Sequence, residues 1–182
     1  MRLALLAVLL LAAVTAPAFA RQDDPRLRDL FGDLQSARTS TESRLVEQKI
    51  WRIWSEDGNA QVDALMELGA NAMQAGDLDA ALDAFNRVVA LDDSFAEGFN
   101  KRATVEFMRG DYDASVADIE RTLKLEPRHF GALSGLGQIY LVLDKKEAAL
   151  KAFEAALKVN PHLNGASDMV EKLKKELSGK PT

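Results

Sequence analysis

The sequence predicts an all-α fold in which helical hairpins stack into a solenoid. A period of 34 residues recurs three times without a gap between residues 62 and 163. Within each period, apolar residues recur at helical spacing in two successive runs, which indicates a helix–turn–helix unit. With 182 residues, 47% of them hydrophobic, the chain can bury a core, and its length suits one repeat array with appendages better than a two-domain enzyme.

The composition excludes several classes of site. The chain has 28 acidic residues against 23 Lys and Arg, and 7% aromatic residues, which argues against a nucleic-acid-binding surface because phosphate contacts need clustered basic side chains. It contains no cysteine, so disulfide frameworks, thiolate metal sites and cysteine nucleophiles are excluded.

Residues 1–20 have the features of a secretory signal peptide. Arg2 precedes an apolar run from Leu3 to Val14, and small residues stand at the end of the segment, up to Ala20. An uncleaved membrane anchor is the alternative, but the run is shorter than the ~20 residues that span a bilayer. We therefore expect cleavage after Ala20, no stable membrane span in the mature protein, and export, with the periplasm of a Gram-negative bacterium as the expected location.

Residues 21–61 are predicted to form an N-terminal helical hairpin outside the 34-residue register. Pro25 favours a helix start, and Thr39 with Glu42 forms a capping box that opens a helix ending near Trp54. Trp51 points away from the centre of the apolar face of that second helix. We expect it to pack against the preceding helix; exposure to a partner is the alternative.

The three periods are residues 62–95, 96–129 and 130–163. One position of the first helix is always small and faces a small residue of the second helix, so the two helices are expected to approach closely there. We expect Leu68 and Ala72 of the first period to face the partner helix too. The small residues are Gly69, Ala103 and Gly137 on the first helices and Ala81, Ser115 and Ala149 on the second.

These residues resemble the tetratricopeptide repeat, whose pattern includes a large apolar residue, Leu-Gly, Tyr, then Ala, an aromatic residue and a closing Pro. The second period departs from the pattern at Arg102 and Glu106, which stand four residues apart and are interpreted as an intrahelical ion pair. The third period fits best, through Leu133, Leu136, Gly137, Tyr140, Ala149, Phe153, Ala156 and Pro161.

Residues 164–182 are predicted to form a C-terminal capping helix and tail. The segment has one apolar stripe backed by charged residues, as expected of a helix that seals the last hairpin of a solenoid. The stripe consists of Ala166, Met169, Val170, Leu173 and Leu177.

The resemblance implies that the first helices of the repeats line a concave groove that receives an extended peptide or a helix. Lys101 is the only charged residue in the slots where some family members grip a partner's terminal carboxylate, so binding of chaperone tails is not expected. The alternative is that the N-terminal hairpin or the capping helix fills the groove. The candidate contact residues are Met66, Met73, Asn100, Lys101, Thr104, Phe107, Ser134, Gln138 and Leu141, with Trp51 as an extra contact.

No constellation for catalysis is recognisable. His129 and His162 lie at equivalent repeat junctions and are interpreted as solvated residues, because no nucleophile or base pattern accompanies them. We therefore expect a non-enzymatic interaction module, a scaffold or adaptor without a cofactor or metal, that binds a peptide or protein segment. Self-association into homodimers is the alternative.

Overall fold

The computed structural model describes residues 21–179. This part of the chain contains nine α-helices and no strand, so the predicted all-α repeat fold is confirmed; the predicted signal peptide lies outside the described residues. The helices are α1 (Arg26–Ser36), α2 (Ser40–Trp54), α3 (Ala60–Ala75), α4 (Leu78–Leu91), α5 (Ala96–Arg109), α6 (Tyr112–Leu125), α7 (Phe130–Val142), α8 (Lys146–Val159) and α9 (Ala166–Leu177).

Three helix pairs, α3/α4, α5/α6 and α7/α8, form the repeats. The turn inside each pair requires a left-handed backbone, which Gly76 (φ 78°) and Gly110 (φ 84°) supply in the first two repeats. In the third repeat Asp144 adopts that conformation with φ 55°. Asp77 then caps α4, since its carboxylate accepts from the Ala80 N–H at 3.0 Å.

The small residues of the first helices make room for an aromatic ring of the second helix. A Cβ atom at Gly69 would lie 2.6 Å from the Phe85 ring, and one at Gly137 would lie 2.8 Å from the Phe153 ring. The close approach of the two helices was predicted from the small residues. The structure shows that it is required by the aromatic ring that stands four residues after the small residue of the second helix.

Two sequence-based expectations about the first helices are wrong. Leu68 does not face its partner helix: it is 52% exposed, and within residues 21–179 no hairpin is stacked in front of the first repeat. Arg102 does not pair with Glu106; its Nε and Nη2 donate to the two carboxylate oxygens of Asp118 on α6 at 2.6 and 2.8 Å. A guanidinium that makes two hydrogen bonds to one carboxylate is held more strongly than one that makes a single contact. This favours pairing of Arg102 across the hairpin over pairing along α5.

The last helix, α9, packs on α8. Val170 and Leu173 are buried against Phe153, and charged side chains tie the edge of the helix to the third repeat: Lys146 Nζ lies 3.0 Å from Glu176. The C-terminal end of the array is thereby closed.

The N-terminal hairpin does not extend the stack, and we call residues 21–54 the clasp. It runs along one edge of the array, where the loops that join successive repeats lie. At the first junction Arg21 Nη1 donates to Asp92 at 2.6 Å and to Asp57 at 3.3 Å, and Gln22 donates to the Ser94 carbonyl at 2.6 Å.

The clasp reaches the other two junctions as well. At the second, the Arg128 guanidinium lies 4.2 Å from the centre of the Phe31 ring. At the third, Asn160 Nδ2 donates to Glu47 Oε1 at 2.8 Å, and His162 Nε2 donates to the Ala37 carbonyl at 2.8 Å. The clasp therefore contacts all three junctions. Because it lies along this edge of the array, its position sets how much of the groove it covers.

Candidate functional site

A cavity of about 200 Å³ lies between α5 and α7, on the face predicted to be concave. Four of the predicted groove residues line it: Asn100, Thr104, Phe107 and Gln138. Thr104 and Gln138 are exposed and Phe107 is half-buried, so the cavity opens to solvent between the second and third repeats.

Glycines of α7 create this space. At Gly135 a Cβ atom would meet only Ile119, at 3.6 Å, so this position leaves room beside the apolar wall. Gly131 also lines the cavity, but a Cβ there would lie 2.6 Å from the ring of Trp51. Gly131 lies on the concave stripe predicted for the third repeat, but neither glycine was among the predicted contact residues, although their spacing of four residues on one helix face was a usable signal.

The other predicted groove residues do not line the cavity. Met66 is buried in the core of the first repeat, and Met73 packs against the same cluster. Leu141 packs against the cluster beneath α9. Ser134 is half-buried, and Lys101 Nζ lies 3.2 Å from Glu97 Oε1.

Trp51 limits the groove at one end. Its ring makes edge contacts with His129 and Phe130, each with centroids 5.4 Å apart, and it rests on Gly131. Trp51 thus packs against the start of α7, in the same apolar cluster as Leu27, Phe31 and Leu34 of the preceding helix. The clasp covers the first turn of α7, and the cavity beyond that turn remains open.

His129 is fully buried, which corrects its interpretation as a solvated junction residue. Its Nδ1 accepts from the Ala132 N–H at 3.0 Å and so caps α7. The proton must therefore be on Nε2, which donates to Glu97 Oε2 at 2.9 Å. The imidazole stacks on Trp54 with centroids 4.2 Å apart. The clasp buries this junction. The position of the clasp could not be predicted from the repeat pattern.

Glu97 joins the junction to the cavity. Burial would raise the pKa of this carboxyl, but the hydrogen bond from His129 and the charge of Lys101 outweigh burial, so its pKa lies below the usual value. The ionised carboxylate accepts from Asn100 Nδ2 at 2.9 Å. Because a carboxylate can only accept, this contact assigns Nδ2 as the end of the Asn100 amide that faces Glu97.

Glu106 lies on another face of α5. Burial and then the negative charge of Asp118 raise its pKa to about 7, although Arg102 acts in the opposite direction. It does not line the cavity between α5 and α7.

Two kinds of site, a metal site and a membrane-spanning helix, are not found in residues 21–179. This range contains no group of three histidine or acidic side chains that could hold a metal ion. Two acidic residues of the first repeat have structural partners: Asp77 caps a helix and Asp79 pairs with Arg109. None of the described helices is long and apolar enough to cross a membrane.

Comparison with known proteins identifies the family. A sequence model of the tetratricopeptide repeat matches residues 56–95 and 100–164. A TPR repeat-containing protein of Rhizobium etli is 36% identical over 157 residues, which are 86% of this chain and 77% of the relative. The chain therefore belongs to the tetratricopeptide repeat family.

More distant similarities agree with the fold. Small glutamine-rich tetratricopeptide repeat-containing protein 2 of Mycosarcoma maydis is 26% identical over 107 residues, although this chain spans only 30% of its length. The first TPR domain of Spaghetti, solved with the HSP90 peptide SRMEEVD, has a TM-score of 0.62 and 23% identity over 65% of this chain and 94% of that domain. The MamA protein has a TM-score of 0.60 and 21% identity over 83% of this chain and 80% of that one.

Proposed function

We propose that this protein is a non-enzymatic interaction module, a scaffold or adaptor, that binds a peptide or protein segment in the groove between α5 and α7. The observation that supports this proposal most is the open cavity, which combines apolar walls with polar groups and which neither the clasp nor α9 fills. Adaptable apolar surface with a few amide groups suits recognition of a peptide chain.

The related folds support the binding of a peptide segment, but the residues of this groove do not suit an acidic peptide. The Spaghetti domain was solved with an acidic HSP90 peptide. Here Lys101, the charged residue among the predicted groove contacts, lies 3.2 Å from Glu97 and 5.9 Å from the Trp51 ring centre. Its charge is already balanced, so the proposal does not include recognition of an acidic chain terminus.

We also propose that the protein acts after export, as a soluble periplasmic module that begins at Arg21. The support is the sequence pattern of residues 1–20. The intact mass of the secreted species tests this proposal. A mass that still contains residues 1–20, in a membrane fraction, would contradict it.

Filling the cavity tests the proposed function. Peptides are selected from a random 12-residue display library against residues 21–182, and their affinity is measured by fluorescence polarisation. Gly135→Leu should abolish binding of the selected peptides, because the new side chain occupies the cavity. It should not lower the stability, since a Cβ at this position meets only Ile119 at 3.6 Å and leucine has the higher helix propensity.

Gly32→Leu on α1 is the matched control, because nothing lies within 4 Å of a Cβ at that position. It makes the same chemical change far from the cavity, so peptide affinity should be unchanged. If Gly135→Leu binds the selected peptides as tightly as the control, the peptides do not use this groove and the proposal is wrong.

A further inference from the structure

We infer that the cavity between α5 and α7 binds a lysine side chain of the partner segment. This inference rests on the proposed function and specifies the chemistry of its anchor. It follows from the direction of the hydrogen bonds around the cavity, from the apolar walls, and from a lining without basic residues beside an acidic first repeat.

Most of the side-chain donors of Asn100, Thr104 and Ser115, which line the cavity, are already engaged within the protein. Asn100 Nδ2 donates one of its two N–H groups to the buried Glu97 carboxylate at 2.9 Å, and its amide oxygen accepts no hydrogen bond within the described part of the chain. The Thr104 hydroxyl donates to the Asn100 carbonyl at 2.9 Å, and the buried Ser115 hydroxyl donates to the Ala103 carbonyl at 2.7 Å. What these three residues can still offer is mainly acceptor lone pairs, together with the second N–H of Asn100.

A ligand group that brings donors therefore finds more partners here than one that brings acceptors. An ammonium has three donors and no acceptor, which complements this set. A carboxylate has only acceptors, so in the cavity it would lose its hydration and could gain only the second N–H of Asn100 from these three residues. Gln138 at the exposed mouth makes no side-chain hydrogen bond within the described part of the chain, so its amide can present its oxygen to an ammonium.

The walls fit the aliphatic stem of lysine. Ala103, Phe107 and Ile119 line the cavity, and they provide apolar surface along its length. A volume of about 200 Å³ corresponds to at least six water molecules at roughly 30 Å³ each, which exceeds the five heavy atoms of a lysine side chain. The Phe107 ring adds a favourable surface for a cation.

The electrostatics favour the same ligand. No lysine or arginine lines the cavity among the described residues. Behind Asn100, the Glu97 carboxylate hydrogen-bonds His129 and pairs with Lys101 at 3.2 Å, so Lys101 does not leave an unbalanced positive charge that would repel a cation. The adjacent first repeat contains seven acidic residues against Arg87 alone, and its field attracts a basic segment.

Three small probes of similar shape test the inference. Residues 21–182 are titrated with n-butylammonium chloride, butyramide and sodium butyrate, at equal ionic strength, while the backbone amide signals of Gly131 and Gly135 are followed by NMR. We expect saturable shifts with millimolar affinity for butylammonium, weaker shifts for butyramide and none for butyrate. If butyramide or butyrate binds as tightly as butylammonium, or if butylammonium causes no saturable shift, the inference is wrong.

A charge reversal at the mouth provides a second measurement. Because Gln138 is exposed, both Gln138→Glu and Gln138→Lys should fold normally. Butylammonium should bind about five-fold more tightly to the first variant and at least five-fold more weakly to the second, as expected for one partly screened charge pair. Unchanged affinity in both variants would contradict the inference.

These results are separable from those of the peptide selection. If the selected peptides depend on the cavity but tolerate replacement of each lysine by glutamine, the proposed function stands and the lysine inference falls. If the selection yields no cavity-dependent peptide while butylammonium binds as expected, the pocket chemistry stands and the proposed function falls.

Discussion

Glu106 should make the protein less stable as the pH rises. Its pKa is raised from the ordinary value of 4.5 to about 7, by burial and by the charge of Asp118. The folded state therefore keeps a proton that the unfolded chain releases. Below pH 4.5 the stabilising effect of this proton is fully present, and it is lost as the pH rises through 7.

The variant Glu106→Gln should remove this dependence. A shift of this size corresponds to about 3 kcal/mol if it is fully expressed, and solvent screening of the half-exposed side chain reduces it to about 1 kcal/mol. The glutamine amide can donate to Asp118 at every pH, as the protonated carboxyl does at low pH. Glu106→Gln should thus match the parent protein at pH 4.5 and exceed its stability by about 1 kcal/mol at pH 8.

Urea unfolding followed by circular dichroism at pH 4.5, 6 and 8 measures the difference in the free energy of unfolding. Glu120→Gln on α6 is the control, since Glu120 is exposed and its replacement should leave the pH dependence unchanged. The reasoning would be refuted if the stability difference between Glu106→Gln and the parent did not change with pH. It would also be refuted if the variant were less stable than the parent at pH 8.

Three further predictions concern stability, each measured by urea or thermal unfolding. Gly137→Ala should destabilise by about 1–3 kcal/mol through overpacking against the ring 2.8 Å away, whereas Gly135→Ala should stabilise by about 0.5 kcal/mol; equal effects would show that the ring is not confined. His129→Ala should cost about 3 kcal/mol because it leaves the Glu97 carboxylate buried without its main partner, and a loss below 1 kcal/mol would contradict the network. Leu173→Ala should cost about 3 kcal/mol, and a neutral result would show that α9 does not seal the array.

The fold could be predicted because its information is local and repeated. Gly76 and Gly110 stand at the turns for a reason that sequence spacing alone reveals, namely that a left-handed residue must end each first helix. The same reasoning misplaced Leu68. A repeat pattern predicts which faces of a hairpin contact adjacent hairpins, but it does not show which hairpin lacks a neighbour. Within residues 21–179, no repeat is stacked in front of the first one.

The site could be predicted only in part. Asn100, Thr104 and Gln138 were found because helical spacing places them on one face, and the fold brings them to one cavity. The junction residue His129 was misread because its burial depends on the clasp, which lies more than 70 residues away in sequence. Contacts of this range leave no periodic trace in the sequence, so only the structure reveals them.

The clasp changes how the array can come apart. In an open solenoid each repeat contacts only the next one, so the ends fray independently of the middle. Here one segment is bonded to Asp92 at the end of the first repeat and to Asn160 at the end of the third, so neither terminal hairpin can detach without breaking contacts with a segment that also holds the other. Residues 21–54 reach from the first junction to the third, so the length of the clasp matches an array of three repeats.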